Sequence, residues 1–126
     1  MRPHHLLATL ALGIGLQAHA GEGHHTHAPL HGGVVSEASH LSFELVPHPG
    51  GVTLHVRDHD KPANVEGGTA RLTVLTGQLK STLALKVDGA GRFTATTPAS
   101  IPAGSKVVAL VNLPGRKAAQ ARFSLP

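Results

Sequence analysis

The sequence predicts an all-β domain, an antiparallel β-sandwich of Ig-like type with seven to eight short strands. Three observations lead there. Apolar and polar residues alternate with a period of two over several short runs, as they do in strands with one buried and one wetted face. Turn segments bearing glycine or proline separate these runs at regular intervals, the spacing of a sandwich or barrel. No segment sustains the 3.6-residue apolar period of a helix.

Taken in order, the strand pattern begins at Val34. Leu41, Phe43 and Leu45 then alternate with Ser42 and Glu44, and Val52, Leu54 and Val56 alternate with Thr53, His55 and Arg57. Between them Pro47-His48-Pro49-Gly50-Gly51 has the composition of a turn. With a four-residue loop from Pro47 to Gly50, Leu41, Phe43 and Leu45 face Val56, Leu54 and Val52, while His40, Ser42, Glu44, Thr53, His55 and Arg57 share the other face. Further strands are expected at 70–76, 82–87, 92–97, 106–113 and 119–125. Their separators are Glu66-Gly67-Gly68, Thr76-Gly77-Gln78, the stretch from Asp88 to Gly91, Ile101-Pro102-Ala103-Gly104 and Pro114-Gly115-Arg116.

Residues 1–20 read as a secretory signal peptide. Arg2 opens it, 6–16 form an apolar core, and Ala18-His19-Ala20 supplies the small-x-small pattern for cleavage after Ala20. The apolar run is shorter than the roughly 20 residues needed to span a bilayer, and with no cysteine in the chain a lipid-modified cysteine is excluded. The expected location is therefore periplasmic. Removing the first 20 of 126 residues leaves 106, enough for one small domain with a tail. Residues 21–33, rich in glycine, proline and histidine, read as a flexible tail, and 34–126 as the β domain.

Composition narrows function. Without cysteine the exported chain has no disulfide. The mature segment carries ten Lys and Arg against seven Asp and Glu, scattered, with no Trp or Tyr and three Phe. A nucleic-acid surface clusters its basic side chains and often adds aromatic platforms, so no nucleic-acid partner is expected, and no membrane span either. All eleven histidines lie at or before His59, eight of them after the leader. Imidazole is the commonest ligand for zinc, copper and nickel and titrates near neutrality.

Three groups could ligate a metal. In the tail, His24, His25 and His27, with His31 four residues on, can chelate a divalent cation without a preformed pocket, at an entropic cost. On the hairpin, His40 and His55 share a face with Glu44, so these side chains could share an ion; ordinary polar strand residues would look the same. After the hairpin, Asp58 and Asp60 flank His59, as ligands or as acceptors that orient the imidazole, in what could equally be a charged turn.

Several stretches carry a resemblance. His31-Gly32-Gly33-Val34-Val35, Phe43-Glu44-Leu45-Val46, the run from Val56 to Pro62, the run from Gly68 to Leu75, and the run from Pro102 to Ala109 resemble small exported proteins associated with heavy-metal efflux operons. They are also similar to the extra amino-terminal region of periplasmic adaptor subunits of heavy-metal RND pumps. The resemblance implies a periplasmic β-sandwich that handles metal cations, and points to His31 and the Asp58-His59 pair. Components of such a pump are then the implied partners.

The function expected is binding of a transition metal for buffering or delivery, linked to metal efflux or resistance. Zinc or copper(II) come first and nickel or cobalt next. The lone methionine leaves with the leader and cysteine is absent, which rules out methionine-rich copper(I) and blue-copper sites. No nucleophile elbow is present, and most histidines lie on the tail or near turns, so no enzyme is expected. The plainer alternative is an Ig-like structural or interaction domain whose leading histidines are incidental.

Overall fold

The computed structural model describes residues 28–126. The expected leader and His24, His25 and His27 lie outside the described residues. Among the described residues there are nine strands and no helix. They are β1 (Val34–Ala38), β2 (Leu41–His48), β3 (Gly51–Asp58), β4 (Lys61–Pro62), β5 (Thr69–Thr76), β6 (Leu79–Val87), β7 (Arg92–Thr96), β8 (Lys106–Asn112) and β9 (Ala119–Ser124).

Every pairing is antiparallel. The strands follow one continuous path, β1-β2-β3-β7-β6-β5-β8-β9, with β4 attached to the far end of β3. The expected sandwich of two separate sheets is thus replaced by a sheet that curls into a nearly closed barrel, with β1 packed beside β9. Strand β6 explains the difference. Its first seven residues, Leu79 to Leu85, pair with β5, and its last two, Lys86 and Val87, pair with β7. One strand therefore hands the hydrogen-bond ladder from one half of the molecule to the other. Sandwich and barrel alternate inward and outward residues alike, so the sequence period does not distinguish them.

The alternation itself is plain in the burial. In β9, Ala119, Ala121 and Phe123 are buried while Gln120, Arg122 and Ser124 are exposed. Inward residues of β5 (Ala70, Leu72, Val74) and β8 (Val107, Ala109, Val111) meet Phe43, Leu45, Leu54, Val56 and Phe93 in one apolar core. Ser105 is also fully buried, and its hydroxyl bonds Thr76 Oγ1 at 2.8 Å. Among the described residues no buried side-chain polar atom lacks a partner.

The β2–β3 hairpin turns on two residues, Pro49 and Gly50, not four, with Gly51 opposite His48. Gly50 takes a φ of 77° behind Pro49, the residues a type II turn favours. Phe43 accordingly faces Val56 and Leu45 faces Leu54, a register two residues removed from the expected one. Because side chains repeat every two residues, the slip moves partners along the strand but leaves every residue on its expected face. His40 is the exception. It lies outside β2, in the β1–β2 turn beside Ser39, and both residues have positive φ (63° and 51°).

Candidate functional site

The outer face of the hairpin holds the arrangement with the most chemistry. Glu44 on β2 lies between Val35 on β1 and His55 on β3, and His55 in turn lies opposite Arg92 on β7. These four positions form a row across the sheet. The chain segment that precedes β1 folds back over this row.

Glu44 is what holds that segment. Its Oε1 accepts the Leu30 N–H at 3.0 Å, and its Oε2 accepts those of His31 at 2.8 Å and Gly33 at 2.9 Å. Three backbone donors converging on one carboxylate make a concave anion nest filled by the protein's own side chain. Gly32, at φ 73°, gives the chain the left-handed step that brings these donors together. Gly33 has a separate reason to be glycine, since a Cβ there would run into the Leu45 carbonyl oxygen. Glu44 is only 6% exposed. Burial works against its charge, but the N–H bonds from Gly33, His31 and Leu30 outweigh it and hold the carboxyl below the ordinary carboxylate range.

The clamp sets His31 over His55. Their rings stack with centroids 3.7 Å apart and planes within 9° of parallel. Burial, then the neighbouring His31, and also Arg92 disfavour the protonated form of His55, with Glu44 opposing, so its pKa lies below the usual histidine value. A neutral imidazole is the form that donates a lone pair to a metal.

A second group lies at the β3–β4 turn. His59 Nδ1 and Asp58 Oδ1 are 2.7 Å apart, and Asp58 Oδ2 accepts from Arg116 in the β8–β9 connection. The hydrogen bonds from His59 and Arg116 hold the Asp58 carboxyl below its ordinary pKa. With Nδ1–H donating to the carboxylate, the neutral tautomer of His59 presents its lone pair at Nε2, as in carboxylate-oriented metal ligands. The ring itself is 90% exposed. His59 and Asp60 both have positive φ, 48° and 66°, like Ser39 and His40 in the other short turn.

The structure thus brings His31 and His55 together, and Asp58 with His59. It leaves His40 in its own turn. His24, His25 and His27 lie outside the described residues. Among the described residues no three His, Cys, Asp or Glu side chains are grouped so as to hold a metal ion by themselves. From the sequence Glu44 reads either as an ordinary polar strand residue or as the carboxylate beside His40 and His55 in a ligand set. Its two oxygens are instead both engaged by the incoming backbone. The one sequence signal for this was the stretch from His31 to Gly33, whose adjacent glycines mark a backbone that approaches another chain segment closely.

Compared with known protein families, curated proteins and solved structures, the chain matches none of them. No helix among the described residues is long and apolar enough to cross a membrane.

Proposed function

We propose that this protein binds a transition-metal ion through imidazole nitrogen, zinc or copper(II) first and nickel or cobalt next, and acts as an exported buffer or delivery protein in metal efflux. The observation that carries this reading is the His31–His55 pair, two imidazoles held side by side by the Glu44 clamp. At zinc–nitrogen bond lengths of about 2.0–2.1 Å, two tetrahedral ligand nitrogens lie about 3.3 Å apart. The rings stand 3.7 Å apart with planes within 9° of parallel, so their in-plane lone pairs do not meet at one ion in the stack, and chelation by both requires one ring to rotate out of it. Two ligands do not complete a tetrahedron. His27 is four residues before His31, within about 14 Å along an extended chain, and it supplies the missing ligands together with His24 and His25. The exposed His59 is a separate single ligand. Loading in the periplasm and release to pump components complete the proposed role.

Titration calorimetry of the chain from Gly21 onward with zinc and copper(II) tests this. Substituting His55→Ala should weaken the tighter site by about tenfold or more, the loss of one metal ligand being worth at least roughly 1.4 kcal/mol. Changing His24, His25 and His27 together to alanine should lower stoichiometry or affinity. Equal isotherms for the wild type and both variants would overturn the reading.

Protons should compete with the metal. Uptake by the wild type should fall between pH 7 and about pH 5. Because His55 has a depressed pKa, its share of binding should persist below the ordinary histidine range. Uptake measured at each half unit by equilibrium dialysis checks both the fall and its midpoint.

A further inference from the structure

The face that carries the imidazole pair also gathers positive charge. A cleft of about 370 Å³ opens beside the pair, with His31, His55, Arg57, Asp60 and Arg92 in its walls. The register explains the gathering. Arg92 lies opposite His55 on β7, and Arg57 follows His55 by two residues on β3, so all three emerge on one face of the sheet. Asp60 enters from the turn beyond β3 and meets Arg57 Nη2 at 3.8 Å. The Asp60 side chain is 72% exposed and the Arg57 side chain 16% exposed, and an ion pair this long with so exposed a partner offsets little of the Arg57 charge. Arg92 donates from Nε to the Asp88 carbonyl at 2.8 Å. That bond uses one of its five N–H groups and fixes the stem of the side chain at the cleft.

We propose that this cleft is a site for a small oxyanion, a carboxylate or a phosphate, held between the Arg57 and Arg92 guanidiniums with the two imidazoles alongside. The forked donors of a guanidinium match oxyanion geometry in pairs. The space accommodates such an ion with several waters, each of which takes about 30 Å³ in the liquid. The site goes beyond the metal reading and needs no metal. Where both bind, the anion offsets the repulsion between a metal cation and two guanidiniums. Each ligand should then raise the affinity for the other by the same factor.

Two-dimensional 1H–15N NMR of the chain from Gly21, stripped of metal on a chelating resin and held in an oxyanion-free buffer at constant ionic strength, tests the proposal. Inorganic phosphate and acetate are titrated separately. The expected result is saturable shifts at His31, His55, Arg57, Gly91 and Arg92 with at least one of the two, and whichever binds identifies the source of the oxyanion. Arg92→Gln, at an exposed position, should weaken binding at least about tenfold, the value of one charge-assisted hydrogen bond. Arg57→Gln should do the same and Arg57→Lys should lose less. Lys80→Gln, on β6 and outside the cleft, should change nothing. The proposal is overturned if neither anion gives saturable shifts at these residues. It is also overturned if Arg92→Gln binds as the wild type does, or if the response appears only once zinc is added. Failure of zinc binding with anion binding intact would instead remove the metal reading alone.

Discussion

Replacing Phe43 by alanine should lower the stability of the domain by about 3–5 kcal/mol, the usual range for emptying a buried phenylalanine site. Phe43 is fully buried and sits in the middle of β2, with Val56 opposite it on β3 and Ser36 on β1. Ladders on both sides hold the strand, so the surrounding backbone has little room to collapse into the space left behind. With no cysteine in the chain, no crosslink limits the unfolded state, and total stability for a domain of this size is about 5–15 kcal/mol. At about 4–8 °C per kcal/mol, Tm should fall by at least about 12 °C. Thermal unfolding followed by far-UV circular dichroism reads this directly. A fall of less than about 5 °C would mean that the core repacks around the vacancy.

The next largest effect belongs to Glu44. Glu44→Ala leaves three backbone N–H groups without their acceptor, and Glu44→Gln sets an NH2 group against at least one of them. Leu30 and His31 are exposed, so water recovers part of the loss. The expected cost is about 1–3 kcal/mol rather than three full charged hydrogen bonds. The sign of its pH dependence follows from the direction of the shift. The folded carboxyl titrates below its ordinary value near 4.5, so its contribution is fully present above that value and is lost as pH falls through the folded pKa. The stability gap between wild type and Glu44→Gln should be constant from pH 7 to about 5 and shrink below about 4.5. Urea midpoints at each pH measure it, and comparing the two proteins removes the acid sensitivity that Asp58 adds to both. A gap that widens on acidification would show that burial, not the backbone donors, dominates the carboxyl. Glu44→Ala should also weaken zinc binding, since His31 loses the clamp that holds it over His55.

What the sequence disclosed and what it hid divide along physical lines. Strands β2, β3, β5, β8 and β9 are legible because their alternation is strong, as in Ala119 to Ser124. The opening of β6, ahead of the strand expected from 82, carries no sequence signal because Leu79 to Ser81 are all exposed, so no apolar period marks them. Strand β4 is two residues long and includes Pro62, too short for any pattern. Closure of the sheet depends on which strands pair, and period-two alternation carries no partner information. At the site, Asp58 and His59 are chain neighbours, and their contact is a local matter. His31 and His55 are 24 positions apart, and what joins them is a third residue on a different strand. Glu44 has the pattern of any outward strand position, so its part as an anchor emerges only when the backbone of residues 30–33 is laid against it.

The seam between β1 and β9 has a dynamic consequence. The two strands stand side by side at the ends of the path, with no ladder joining them, whereas strands such as β3 and β5 are paired on both sides. Local opening of a protein begins where backbone hydrogen bonds are fewest. The β1 edge should therefore form a low-energy unfolding unit whose amides exchange with deuterium sooner than those of β5. Leu30, His31 and Gly33 feed directly into that edge and share its fate, so each excursion of β1 also unstacks His31 from His55. Under the proposed metal reading, the opening rate of the seam in the loaded protein would limit how long a bridging ion stays bound to both rings.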